Sequence, residues 1–186
     1  PDEEIFIPYF KQHPDWKLVI APHVIDESHL QQIEKMLEGR KVVRYTEAEK
    51  ILNGQSSKFN DSEVLIINCF GLLSSIYRYG KVAYVGGGFG VGIHNTLEAA
   101  VWDMPVISGP NNQRFQEAQG LKACGGGLEI NTAADFEAVM QRFDHADAVE
   151  EAGKKAGAYV EQMTGATKKI LSGESKIGRA SCRERV

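Results

Sequence analysis

The chain has 186 residues, 42% hydrophobic and 25% charged, the balance of a globular protein with a sizeable core. Its net charge of -4 gives no electrostatic reason to bind nucleic acid, and no apolar run reaches the roughly 18 residues of a membrane span. The three cysteines, Cys69, Cys124 and Cys182, form no C-x-x-C pair, which argues against a disulfide framework or a zinc site and suits a reducing cytoplasm. No signal peptide is visible, and the amino end enters a helical pattern at once, which suggests a piece of a longer protein. Residues 175–186 (SKIGRASCRERV) set Lys176, Arg179, Arg183 and Arg185 against Glu184, so the body of the chain is more acidic than the whole. This tail has no periodicity; a vector-derived disordered segment is expected in preference to a membrane or RNA anchor, leaving residues 1–174 as one domain.

Along the chain, helix-like and strand-like segments alternate. A helix is expected over Glu3–Gln12, a strand at Lys17–Ala21, and a helix over Ser28–Leu37 opened by a capping box of Ser28 and Gln31. Strands follow at Lys41–Arg44 and Val64–Ile67, separated by the polar segment Tyr45–Ser62 with a short helix at Glu47–Leu52. Then come helix Leu72–Tyr79, strand Val82–Val85, helix Thr96–Trp102, strand Pro105–Ser108, helix Arg114–Leu121 and strand Gly127–Ile130. Two helices, Ala133–Phe143 and Ala146–Leu171, complete the series. The strands are short and apolar throughout, as a parallel sheet covered on both faces requires. The pattern predicts an α/β fold with a doubly wound parallel sheet built from βαβ units.

Ligands in such sheets bind beyond the carboxyl ends of the strands. The loops there contain Ala21-Pro22-His23, Asn68-Cys69-Phe70-Gly71, Gly86–Asn95 and Gly109–Gln113. The segment GGGFGVGIHN places Gly86, Gly87, Gly88, Gly90 and Gly92 directly after a buried strand and before a helix carrying Glu98. Such a loop with helix N–H groups behind it forms an anion site. It lacks the Lys-Ser/Thr of a Walker A loop and the spacing of the dinucleotide fingerprint. Glu98 has two readings: a carboxylate accepting two hydrogen bonds from a ribose diol, or a capping box with the Asn95 N–H. His94 and His23 stand on the ligand side, as phosphate contacts or as loop hydrogen-bonders. Asn111 and Asn112 either cap the next helix or reach a sugar, and the amides of Leu72 and Leu73 either serve only their helix or hold a base or phosphate. Asp103 is expected to cap the element after it. No histidine pair has metal spacing and no nucleophile–base pair is evident, so neither metal nor cofactor is expected.

The segments YVGGGFGVGIHNTLEAA and PVISGPNNQRFQEA resemble the carboxy-terminal domain of Kdo transferases, glycosyltransferases of the two-domain GT-B type. The matching residues are Gly86, Gly87, Gly88, Gly92, His94, Asn95, Leu97, Glu98, Gly109, Pro110 and Phe115. The looser likeness runs from about Asp2 to Leu171. It implies a Rossmann-like half that binds CMP-Kdo through Pro22, His23, Gly71, Leu72, Gly86, Gly87, Gly88, His94, Asn95 and Glu98, with Glu98 on the ribose. It also implies a first strand preceding Asp2 that this sequence lacks, and an amino-terminal domain carrying the catalytic base, so the fragment alone should be inactive. The whole protein would transfer Kdo to a lipid A precursor at the cytoplasmic side of the inner membrane. An arginine of the family's Pro-Arg-His segment is missing beside Pro22, and Leu72 or Leu73 stands where the family has an acidic residue. A uridine-sugar transferase or epimerase, or a non-catalytic nucleotide-binding module, remain alternative readings.

Overall fold

The computed structural model describes residues 2–52 and 61–171. The tail 175–186 and the 53–60 part of the polar segment lie outside the described residues. The chain runs α1 (Asp2–Gln12), β1 (Leu18–Ile20), α2 (Glu27–Met36), β2 (Val42–Arg44), α3 (Tyr45–Leu52), β3 (Val64–Ile66) and α4 (Leu73–Ile76). A 3-10 turn at Tyr77–Tyr79 leads to β4 (Ala83–Val85), α5 (Leu97–Ala100), β5 (Val106–Ser108), α6 (Gln116–Cys124), β6 (Gly127–Glu129), α7 (Ala133–Phe143) and α8 (Ala146–Leu171). All six strands fall inside the predicted segments, trimmed to the residues that hold a ladder. Every pairing is parallel, but the strands form two half-sheets of three, ordered β1-β3-β2 and β4-β5-β6.

Because side chains alternate along a strand, β4 and β5 each feed two cores. On β4 and β5, Tyr84 and Ile107 join Phe6, Phe10, Leu30, Ile33, Phe136 and Met140 in one cluster under α1, α2 and α7. Ala83, Val85 and Val106 face the other way, onto Ala99, Ala100, Leu121, Ala156 and Val160 of α5, α6 and α8 and onto Met104 in the turn before β5. β4 and β5 are therefore covered on both faces, and their uniformly apolar sequences follow from that.

Helix boundaries depart from the sequence reading where local chemistry decides them. The first turn of α2 is capped by Asp26, whose carboxylate accepts from the His29 N–H at 3.0 Å. The Ser28–Gln31 capping box does not form; Ser28 donates to Asp26, and Gln31 bonds Glu27 at 2.9 Å. The expected helix at Leu72–Tyr79 is one α-turn followed by a 3-10 turn, without a side-chain cap at Leu72. That at Thr96–Trp102 shrinks to Leu97–Ala100. The helix expected from Arg114 to Leu121 starts at Gln116 and runs on to Cys124, where Gly125 at φ 81 supplies the left-handed turn that ends it. Thr132 and Asp135 form a complete capping box on α7.

Asp103 does not cap the next element. It takes a left-handed conformation at φ 52 and presses against α8. A Cβ on Gly153 would stand 2.0 Å from the Asp103 carbonyl oxygen, and one on Gly157 1.8 Å from its carboxylate. Glycine mid-helix ordinarily costs stability relative to alanine, by about 0.5–1 kcal/mol. Here the sign reverses: Gly153→Ala is expected to destabilise the fold by about 1–3 kcal/mol, the usual range for overpacking, in urea unfolding.

Candidate functional site

Loops from three strands meet at one edge of the structure. The loop after β4 is closed on itself: Gly90 and Gly92 both donate to the Gly87 carbonyl at 3.0 Å, and His94 donates to Gly86 at 3.2 Å. Gly87 holds φ 91, and a Cβ there would lie 2.3 Å from the Gly92 carbonyl oxygen, so only glycine permits this closure. Gly88 packs directly on Gly109 of the next loop, where a Cβ would meet the Gly109 nitrogen at 2.5 Å. Asn111 completes the lock, its N–H donating to Gly88 at 3.0 Å and its side chain to Gly90 at 2.6 Å.

Below this lock Asn112 is fully buried. Its amide donates to Gly109 and Glu129, and its oxygen accepts from Gln119 at 2.7 Å and Lys122 at 3.0 Å. All its capacity is used inside the protein, so neither the cap nor the sugar-contact reading holds for it; α6 begins at Phe115 with no side-chain cap.

Beyond the loop, Asn95 accepts from the Leu97 N–H at 3.0 Å and donates to Glu98 Oε1 at 3.1 Å. The capping box from Glu98 to the Asn95 backbone is thus replaced by a side-chain contact, and three quarters or so of the carboxylate's roughly four acceptor sites stay available. The N–H groups of Asn95 and Thr96 donate to no acceptor among the described residues. The imidazole of His94 stacks on that of His23, ring centroids 4.8 Å apart and 26° from parallel, which joins the β1 loop to the β4 loop. Tyr77 comes close to Glu98; burial first, and the Glu98 charge second, push its phenol above the ordinary range.

A cleft of about 1870 Å³ runs along these groups. Of the residues singled out from sequence, Pro22, His23, Gly71, Gly86, Gly87, His94, Asn95 and Glu98 line it. Leu72 and Gly88 do not: Leu72 yields this place to Leu73, and Gly88 serves the contact between loops. Helices α4 and α5 have four residues each, so few peptide dipoles align behind either start. Sequence reading missed Tyr77, Asp2 and Tyr84, which also border the cleft. Tyr84 donates to Asp2 at 2.7 Å across 82 residues, a pairing with no sequence signal, and burial with that bond raises its pKa. Among the described residues no group of three or more His, Cys, Asp or Glu side chains is placed to hold a metal ion.

No protein-family model matches the chain. A 3-deoxy-D-manno-octulosonic acid (Kdo) transferase of Aquifex aeolicus is 31% identical over 106 residues, covering 51% of this chain and 30% of that protein. The Kdo transferases of Rickettsia prowazekii and Chlamydophila psittaci are 24% and 26% identical over 73% and 77% of this chain, and 29% and 32% of their own length. Over these stretches the chain is similar in sequence to Kdo transferases. It spans about 30% of the length of these curated relatives. Its fold is that of a solved structure, the C-terminal CMP-Kdo binding domain of WaaA from Acinetobacter baumannii, with a TM-score of 0.68 at 20% identity over 86% of this chain and 83% of that one. The architecture observed is a parallel, doubly wound, Rossmann-like α/β fold.

The network under the site titrates. Lys122 first, and Asn112 after it, hold the Glu129 carboxyl below the ordinary range. A depressed carboxyl stabilises the fold above its unfolded pKa, about 4.3, and that contribution is lost as pH falls through the lower folded value. Between pH 6 and 3, the native chain should therefore lose more stability in urea unfolding than Glu129→Gln.

Proposed function

We propose that this domain binds the CMP-Kdo donor of a Kdo transferase, and that the whole protein transfers Kdo to a lipid A precursor at the cytoplasmic side of the inner membrane. The observation that carries the reading is the convergence of Glu98, Asn95 and the stacked His23–His94 pair beside the closed glycine loop. In this reading Glu98 accepts from both hydroxyls of the ribose. The imidazoles and the N–H groups of Asn95 and Thr96 bind the phosphate that joins the cytidine to Kdo. The histidines stand in for the arginine absent beside Pro22. Residues 2–171 form the donor-binding domain, and Gly71 borders the base.

In the transfer, an acceptor hydroxyl oxygen attacks the anomeric carbon of Kdo, the bond from that carbon to the phosphate oxygen breaks, and CMP leaves with the electron pair. The groups around Asn95 stabilise the charge gathering on that phosphate without a metal. A general base removes the hydroxyl proton. We assign no residue of this chain to that role and expect it from the part of the relatives' length that has no counterpart here. The purified chain should show no Kdo transfer from CMP-Kdo to a lipid A precursor, while still binding the nucleotide.

Calorimetric titration tests the donor assignment. CMP should bind in preference to UMP, and Glu98→Ala should weaken CMP by about 1.5–3 kcal/mol, the range for hydrogen bonds to a charged group. Preference for UMP, or no effect of Glu98→Ala, would move the reading to a uridine donor or to another site.

A further inference from the structure

The donor of the reading above is an anion twice over. Its phosphate is joined to the anomeric carbon of an ulosonic acid, and the sugar's carboxylate is bonded to that same carbon. The two imidazoles and the N–H groups of Asn95 and Thr96 answer the phosphate, which leaves the carboxylate without a partner. The loops that leave the carboxyl ends of β1, β3, β4, β5 and β6 are residues 21–26, 67–72, 86–96, 109–115 and 130–132, and β2 runs directly into α3. Those loops hold a single lysine or arginine, Arg114. It is exposed, and it belongs to the β5 loop, which packs on the glycine loop through Gly88 and Gly109.

The Arg114 guanidinium is held in place. Its Nη2 donates to the Val91 carbonyl, and its Cζ stands 5.3 Å from the centre of the Phe115 ring, a cation–π contact. A Cβ on Gly92, which holds φ 134, would lie 2.7 Å from Nη2, so the group rests against bare glycine backbone. Of the five N–H donors in a guanidinium fork, the Val91 carbonyl takes one. No acceptor among the described residues meets the rest, and Glu117, three residues on, makes no ion pair with it. Arg40, Arg44 and Lys122, by contrast, are each tied to glutamate. Clamping the loop needs one donor; two parallel N–H groups left over match the two oxygens of a carboxylate. The place is right as well. Gly92 stands three residues before Asn95, at most about 11 Å of extended chain. Two hydrogen bonds of about 3 Å, with the linked phosphate and carboxylate between them, cover that interval.

We infer that Arg114 binds the sugar carboxylate of the donor and selects CMP-linked 2-ulosonic acids over nucleotide sugars with no carboxylate at the anomeric carbon. The carboxylate forms a charge-assisted pair with the free edge of the fork, while the Val91 carbonyl and the Phe115 face keep that edge aimed beyond the glycine loop. A neutral sugar in the same place covers the guanidinium without pairing it, so selectivity comes from a loss for the wrong donor as well as a gain for the right one. The assignment rests on the donor reading above, and it goes beyond that reading in naming the part of the sugar recognised and the residue that recognises it.

The test measures affinities for CMP, for freshly made CMP-Kdo and for its C1 carboxamide, in which the sugar is neutral but the same shape. The native chain, Arg114→Gln and Arg114→Lys are compared, each with its urea unfolding midpoint. The native chain should prefer the acid to the carboxamide by about tenfold or more, the range of a charge-assisted pair. In Arg114→Gln that preference should fall to about twofold or less, with CMP affinity unchanged. Arg114→Lys keeps the charge and loses the fork, so it should keep part of the preference; it also serves as the second variant should Arg114→Gln fail to fold. A native preference that survives Arg114→Gln overturns the assignment and leaves the donor reading standing. A native chain that binds CMP but does not separate acid from carboxamide does the same. Equal weakening of all three ligands by Arg114→Gln makes Arg114 a loop clamp only and overturns the assignment. A native chain that binds none of the three overturns the donor reading, and the assignment with it.

Discussion

Contact between Gly88 and Gly109 holds the site's geometry. Two loops leaving adjacent parallel strands meet there backbone to backbone, with no room for a side chain on either. That contact sets how far the β4 loop can lean outward, and the internal bonds to Gly87 then fix where Gly92, His94 and Asn95 emerge. Alanine at Gly88 would force the loops apart and displace the groups beyond them. A parallel sheet offers its ligand only the loops at its carboxyl edge, so the close packing of two such loops decides what the edge can grip.

The contact is supported from beneath by polar chemistry and from the sides by apolar packing. Asn112 is buried, yet each of its hydrogen-bonding groups is met by Gly109, Gln119, Lys122 or Glu129. A buried amide satisfied in this way anchors the β5 loop to α6 and β6 at little cost, whereas a partial network would weaken the fold. The apolar supports are the two clusters on opposite faces of β4 and β5. They secure one half-sheet firmly. The other half-sheet meets it through helices rather than through a ladder, and the loop bearing His23 belongs to that second half. The site therefore spans a discontinuity in the sheet, bridged at the surface by the His23–His94 stack.

Much of this was legible from sequence, for identifiable reasons. Apolar runs bounded by glycine and polar turns mark all six strands, because a buried parallel strand has no polar face to confuse with a helix. The clustered glycines after Val85 announced a tight loop at the ligand edge, and His94, Asn95 and Glu98 followed it closely enough to be placed there. Short helices were overextended, since Tyr77, Tyr79, Val101 and Trp102 continue an apolar helical pattern where the backbone turns to 3-10-type hydrogen bonds. At α2, Ser28 looked like the cap, but Asp26 two residues earlier offers a better acceptor. Roles that depend on distant partners were invisible: Tyr84 with Asp2, Gly153 with Asp103, and Asn112 with Glu129. Gly88 was read as a ligand contact because sequence alone does not separate a glycine that admits a ligand from one that admits a neighbouring loop.

In the proposed function, the groups between Gly86 and Glu98 hold a cytidine nucleotide by its ribose and phosphate. Intermolecular NOEs between CMP and the isotope-labelled chain test it most directly. Contacts are expected from the ribose H2′ and H3′ protons to the Glu98 and Asn95 side chains, and from H5′ to the rings of His94 or His23. Contacts from a saturating nucleotide that instead fall elsewhere on the surface, with none to Glu98, Asn95 or either histidine, would contradict it.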